Sequence, residues 1–224
     1  APQCAVVDAS ISLNLVPESR SVASENRVDE VREAVSAALS YAGLVLIPGL
    51  VGGALVGGTI LGIYGAEFQM GYEILIILVF AQLIYAFEKQ FTNTLNAINR
   101  PEQTYKINLL FIALNLGLNV VLVSQYGWYG AAVATTVTAV VSTGISYRVL
   151  RRYVAFEVPI AELSRQVFAT AVMGGIVFAG KVLFGSTLAV VLMLVAVGSG
   201  TYFSVLWAIS EQFRKTVRHN VPIV

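Results

Sequence analysis

Lys89, Asn93, Asn96 and Arg100 follow one another at steps of four, three and four residues. At 100° per residue this spacing stacks an ammonium, two amides and a guanidinium on one stripe of a helix. Glu88, Thr92 and Asn99 make the neighbouring stripe. All of them lie in EILIILVFAQLIYAFEKQFTNTLNAINR. Counted at ~1.5 Å per residue from Ile74, Glu88 and Lys89 sit about 20 Å into a membrane helix, roughly 8–10 Å from its far boundary. Ionisable groups at that depth are where function is sought first. A broad polar face on the inner half of such a helix suits the wall of a water-filled cavity. The alternative is that Lys89 and Arg100 snorkel to the headgroups while the asparagines tie helices together. The two readings stand level.

Asn108, Asn115 and Asn119 follow at steps of seven and four, again on one face. Interhelical amide bonds contribute only about 0.6–2 kcal/mol each, so tying helices together explains Asn119 well enough. Asn115 fits a cavity better. Catalytic chemistry is poorly served by these residue types. His219, the single histidine, lies in the polar tail, no aspartate follows Asp29, and the glutamates of the spans are scattered singly. Cys4 is the single cysteine, which leaves neither an internal disulfide nor a Cys/His metal site. No metal, no cofactor and no enzymatic activity are expected.

The elements that position these residues follow from hydropathy. Hydrophobic residues make up 57% of the 224-residue chain and charged residues 12%, about half the charged share of a soluble domain. The formal net charge of +1 gives no reason to expect a nucleic-acid partner. Six stretches approach the ~20 apolar residues needed to cross a bilayer: about 40–64, 74–95, 107–123, 130–147, 166–184 and 187–209. The uncharged run between Lys106 and Arg148 is too long for one helix. SQYGWYG at its middle predicts a tight helical hairpin with interfacial aromatics. The fifth stretch is the weakest, because Lys181 falls near its end.

Lysine and arginine then set the orientation. Arg20, Arg27, Arg32, Arg100, Lys106, Arg148, Arg151, Arg152, Arg165, Arg214, Lys215 and Arg218 all fall on one side of a six-span chain, and Lys181 alone on the other. The positive-inside rule places both termini in the cytoplasm. The fold class predicted is all-α, a polytopic transmembrane bundle of about six spans, multi-pass in the cell membrane. Residues 1–40 form a cytoplasmic segment with an amphipathic helix, 41–147 four spans, 148–165 a basic cytoplasmic linker, 166–210 two spans and 211–224 a cytoplasmic tail.

Within the first segment, RVDEVREAVSAALS spaces Val28, Val31, Val35, Ala38 and Leu39 at helical intervals, predicting a helix lying on the membrane surface. The linker RVLRRYVAFEVPIAELSR reads as solvated chain with interface anchors. In the first span, Pro48 and the pairs Gly52–Gly53 and Gly57–Gly58 suit either close packing or a helix that bends during transport. The chain starts at Ala1 with no basic region ahead of an apolar stretch, so no signal peptide is expected. It reads as a piece of something longer.

From Val16 to Arg152 the sequence resembles the polysaccharide flippases of the multidrug/oligosaccharidyl-lipid/polysaccharide exporter superfamily, the group that includes the MATE transporters. The residues that carry the likeness are Leu95–Asn96–Ala97 with Arg100–Pro101, then Asn115–Leu116 and Leu118–Asn119, then Tyr126–Gly127 and Gly130–Ala131–Ala132. VPESRSVASENRVDEVREAVSAALSYAGLVLIP is similar to the family's cytoplasmic loop and following helix, and GAEFQMGYEIL to its outer loop.

The resemblance implies a two-lobed transporter that moves a lipid-linked oligosaccharide by alternating access. This chain would be the C-terminal half, and an N-terminal transmembrane lobe would be missing from it. It further implies that Lys89 and Arg100 face an anionic headgroup and that Asn93, Asn96 and Asn115 bind hydroxyls. Glu88 would pair with Lys89 or couple an ion. The partners expected are the lipid bilayer, that substrate and the missing lobe. A multidrug/cation antiporter of the same superfamily is the alternative transport reading, with Glu88 as its carboxylate. An inactive truncated relative and a membrane-embedded transferase are the remaining ones.

Overall fold

The computed structural model describes the backbone of residues 17–220 and the side chains of 29–218. Arg20, Arg27, Val28 and His219 fall outside the described side chains, and Cys4 outside the described backbone. All described elements are helical: α1 (Pro17–Gly62), α2 (Ala66–Gln69), α3 (Tyr72–Ala97), α4 (Pro101–Leu150), α5 (Ile160–Phe184), α6 (Leu188–Ile209) and α7 (Glu211–Asn220). Five of these are long and apolar enough to cross a membrane.

Helix α4 supplies the sixth crossing, because it is two limbs. Gly127 breaks it with φ 57° and ψ −132°, a conformation open mainly to glycine. The limbs 101–126 and 128–150 then fold against each other so tightly that a Cβ on Gly130 would lie 2.0 Å from the Leu122 carbonyl oxygen. Their contacts with α3 run in opposite senses. The first limb is antiparallel to α3: Thr104 Oγ1 donates to the Thr92 carbonyl at 3.3 Å, and the rings of Phe111 and Tyr85 are 5.6 Å apart. The second is parallel: Tyr129 pairs with Glu73, Thr143 with the Ile84 carbonyl, and Ser146 with Glu88. The hairpin expected at SQYGWYG is present, with Trp128 at its tip 81% exposed.

At the other end of α3, the LNAINRP segment makes a tight reversal. Asn99 sits at φ 60°. The Arg100 N–H bonds the Leu95 carbonyl at 2.8 Å and the Asn99 N–H bonds that of Asn96 at 3.0 Å. This double bond pattern satisfies the last carbonyls of α3, and asparagine is second only to glycine in tolerating the left-handed residue it requires. Pro101 then opens α4 at a position where no N–H is needed.

Helix α1 departs from its expected form. It is one continuous helix of 46 residues, about 69 Å at ~1.5 Å per residue, so among the described residues the segment before the first span is part of that same helix and not a separate surface helix. Its apolar stripe is covered by protein. Val35 and Leu39 are buried with Phe91, Leu95, Ile107, Leu150, Val154 and Phe156. The segment 151–159 is likewise docked rather than solvated. Val154 and Phe156 enter that same cluster, and Arg32 Nε donates to the Ala155 carbonyl at 2.6 Å. Burying those two side chains is favourable by roughly 1.5–3 kcal/mol each, which outweighs leaving the loop in water.

A second cluster joins α1, α5 and α6 through Val56, Ala169, Met173, Val177, Val191, Leu194, Tyr202 and Leu206. Pro48 lies inside α1 and has no N–H, so the Leu44 carbonyl loses its helical donor. The Tyr202 hydroxyl, from α6, fills the gap at 2.9 Å. In lipid such a carbonyl has no water to turn to.

These contacts place the start of described α1, the α3–α4 junction, the end of α4, the start of α5 and α7 at one end of the bundle. The 62–72 loop, the Gly127 turn and the α5–α6 connection lie at the other. Gly130→Ala should destabilise the protein by at least about 2 kcal/mol, because backbone rather than a side-chain tip must move. Gly117→Ala, where a Cβ meets nothing within 4 Å, should cost nothing by comparison. Thermal unfolding of the detergent-solubilised variants checks both.

Candidate functional site

The polar part of α3 divides into two faces with different fates. Phe91, Thr92, Leu95 and Glu88 face inward and are buried, whereas Lys89, Asn93, Asn96 and Arg100 are exposed. The broad polar face anticipated for this helix is therefore half seam and half open surface. The second limb of α4 produces the seam. Ala134, Thr138, Ser142 and Ser146 recur every four residues and are fully buried, and their small side chains let the two backbones approach. Ser146 Oγ donates to Glu88 Oε1 at 3.2 Å, and Thr92 Oγ1 turns back to the Glu88 carbonyl at 3.3 Å. Ser142 Oγ is buried there without a protein partner.

On the open face, among the described residues, no hydrogen bond or ion pair engages the side chains of Lys89, Asn93 or Asn96, though Lys89 feels the charge of Glu88 behind it. Arg100 sits at the end of the stripe but is turned away. Its guanidinium lies 5.1 Å above the Tyr153 ring and 3.8 Å from Glu102. Asn115 is half-buried on the first limb of α4. Its carbonyl and Oδ1 both accept from Asn119 Nδ2, at 2.8 and 3.0 Å. That pair lies within one helix, so in this fold Asn119 does not tie two helices together. The Thr92–Thr104 and Tyr85–Phe111 register sets Asn115 level with Ala81, about 12 Å along the axis from Lys89. Lys89, Asn93 and Asn96 are brought together by the fold. Arg100 adjoins them with its charge already engaged, Asn115 stands apart, and Glu88 lies behind them.

A buried polar line on α5 had escaped sequence reasoning. Glu162, Gln166 and Thr170, four residues apart, are all buried. Glu162 accepts from Ser210 Oγ at 2.5 Å and from Arg165 at 3.1 Å, and Gln166 Nε2 donates to the Ser40 carbonyl at 2.9 Å. The four-residue repeat was the available signal. It was hidden because α5 begins at Ile160, six residues before the hydrophobic stretch. Among the described residues no group of His, Cys, Asp or Glu is arranged to hold a metal.

This architecture has known counterparts. The model of the lipid II flippase MurJ family matches residues 4–198. Among curated proteins, the chain is 31% identical over 220 residues to the probable flippase AglR of Haloferax volcanii, covering 95% of this chain and 46% of that protein. It is 26% identical over 177 residues to the probable low-salt glycan biosynthesis flippase Agl15 of the same organism, covering 79% and 38% respectively. The chain thus spans less than half the length of the curated relatives it matches. In fold it is similar to a solved lipid II flippase MurJ in an inward closed conformation, with a TM-score of 0.71 at 16% identity over 86% of this chain and 41% of that one.

The division of α3 predicts unequal costs on stability. Ser146→Ala strips a buried carboxylate of its hydroxyl donor and should destabilise the protein by about 1–3 kcal/mol. Asn93→Ala, on the open face, should change stability by no more than about 0.5 kcal/mol. Denaturation of the two variants in the same detergent measures the difference. With five membrane-length helices, the longest folded back on itself at Gly127, and the match over residues 4–198, this chain is a multi-pass membrane protein of the MurJ lipid II flippase family.

Proposed function

We propose that this chain is the C-terminal lobe of a two-lobed flippase that carries a lipid-linked oligosaccharide precursor across the cell membrane by alternating access. Both termini lie in the cytoplasm in this reading, the end rich in arginine facing inward. The observation that carries it is the stripe of Lys89, Asn93 and Asn96, exposed on a membrane-length helix. Lipid does not cheaply tolerate an exposed ammonium and two exposed amides at that depth, so the face belongs to a water-filled cavity. Helices supplied by an N-terminal lobe close that cavity. Membership of the family, the names of the two curated relatives and the half-length match all support this arrangement.

In this mechanism the lobes rock about the cavity while the site stays fixed. Lys89, with Arg100 once it leaves Tyr153 and Glu102, attracts the phosphate end of the substrate. Asn93 and Asn96 hydrogen-bond sugar hydroxyls, and Asn115 meets the substrate deeper in the cavity. Glu88, held by Ser146 in the α3–α4 seam, supports the Lys89 charge from behind the cavity wall. An antiporter needs its carboxylate on the cavity wall. Glu88 is instead buried behind that wall, which favours the flippase over the multidrug reading.

Lys89→Ala and Asn96→Ala, made in the intact protein, should each reduce export of the glycan at least about tenfold, the loss of one charge-assisted or well-placed hydrogen bond in the loaded state. Surface glycan is measured in cells lacking the native copy, with membrane levels of the variants held equal. Undiminished export by both variants would overturn the site.

A further inference from the structure

At the end of the bundle opposite α7, a groove of about 970 Å3 opens between α1, α5 and the 62–72 connection. Its polar lining is Thr59, Gln69, Tyr72, Lys181 and Ser186. Phe178, Val182 and Leu188 continue it as an apolar wall. Gly62 recesses one side, since a Cβ there would lie 2.6 Å from Gln69 Nε2. The groove is separate from the open face of α3, which lies toward the opposite end.

Lys181 gives the groove its character. Among the described residues it is the single lysine or arginine at this end of the bundle. A lysine near a helix end would ordinarily snorkel outward to the membrane surface. Lys181 does the reverse. Its neighbours Val182, Leu183 and Phe184 are exposed, whereas Lys181 is half-buried and its ammonium turns inward to the Leu55 carbonyl of α1. Among the described residues no carboxylate forms an ion pair with it. One N–H is engaged by that carbonyl, which leaves two donors and a full positive charge on the groove wall. Tyr72 is fixed beside it by its bond to the preceding carbonyl of α1, that of Ala54.

We infer that this groove is a binding site for the phosphate of an anionic membrane lipid, held by Lys181 with Gln69, Thr59 and Ser186 as hydrogen-bonding neighbours. An uncompensated ammonium beside neutral donors suits a phosphate diester. The apolar wall of Phe178, Val182 and Leu188 adjoins it as an acyl chain adjoins its headgroup. The exposed Tyr64, Phe68 and Met70 at the rim are the kind of side chains that sit at the bilayer interface. A lipid therefore reaches this site laterally, without entering the central cavity.

The test is native mass spectrometry of the intact protein released from nanodiscs of phosphatidylglycerol mixed with phosphatidylcholine. The wild type should retain phosphatidylglycerol over phosphatidylcholine. Lys181→Gln should lower that retention about tenfold, the loss of one charge-assisted contact. Lys181→Arg should preserve it, which separates lost charge from a misfolded groove. Lys215→Gln, which removes one charge at the opposite end, should also preserve it. Equal retention by wild type and Lys181→Gln would overturn the proposal, as would an equal loss in Lys215→Gln. Displacement of the lipid by millimolar inorganic phosphate would contradict a lipid as the ligand. Because retention is read without transport, failure here leaves the flippase reading of the α3 face standing, and the converse holds too.

Discussion

The backbone carbonyls of α1 are the polar surface on which the bundle is assembled. In a membrane every carbonyl must find its donor within the protein, and α1 carries a proline that removes one. Tyr202 of α6 takes the vacancy at Leu44. Side chains from α5 and α3 address the same helix at other levels: Gln166 at Ser40, Tyr72 at Ala54 and Lys181 at Leu55. Four side chains from three helices thus converge on one backbone. The result fixes α5 and α6 against α1 at one level and α3 at another, and α4 is held in turn by α3. Of the glycines after Pro48, Gly57 meets α3, where a Cβ would lie 3.1 Å from the Leu75 side chain, whereas one on Gly52 or Gly53 would meet nothing within 4 Å.

From this frame follows the difference between the two polar stripes of α3. The helix has α1 on one side and α4 on another, and the small residues of the second α4 limb draw Glu88 and Thr92 into a dry seam. What is left is the stripe of Lys89, Asn93 and Asn96, turned to neither neighbour. The first limb of α4 extends the same open side. Between 101 and 126 it buries Ile107 and no other side chain. Polar and apolar surface alike stays open on this side, and the curated relatives are more than twice as long as this chain.

Much of this was legible in the residue pattern. Six crossings, the hairpin at Gly127 and the gathering of basic residues at one end follow from hydropathy, glycine placement and arginine spacing, because a bilayer leaves the chain few alternatives. Spacing also put Lys89, Asn93 and Asn96 together correctly, since four- and three-residue steps fix a helical face whatever surrounds it. The same spacing could not say which adjacent stripe a neighbour would cover, so Glu88 and Lys89 were assigned to one broad face. It could not foresee that Arg100 would stack on Tyr153, fifty-three positions away, or that α1 would run unbroken through Ser40. The polar line of Glu162, Gln166 and Thr170 was lost for a related reason. It straddles the boundary between loop and hydrophobic stretch, where a helix start is hardest to place.

Whether the α3 stripe meets water or lipid decides the account. In the intact protein with its native cysteines, Cys4 included, replaced by serine, a spin label at Asn93 in a lipid bilayer reports that directly, through its relaxation by a polar nickel chelate against that by oxygen. A cavity wall predicts strong relaxation by the chelate and weak relaxation by oxygen, with the opposite balance for a label at Val120 on the exposed apolar face of α4. Oxygen-dominated relaxation at Asn93, matching that at Val120, would place the stripe against lipid and contradict the account.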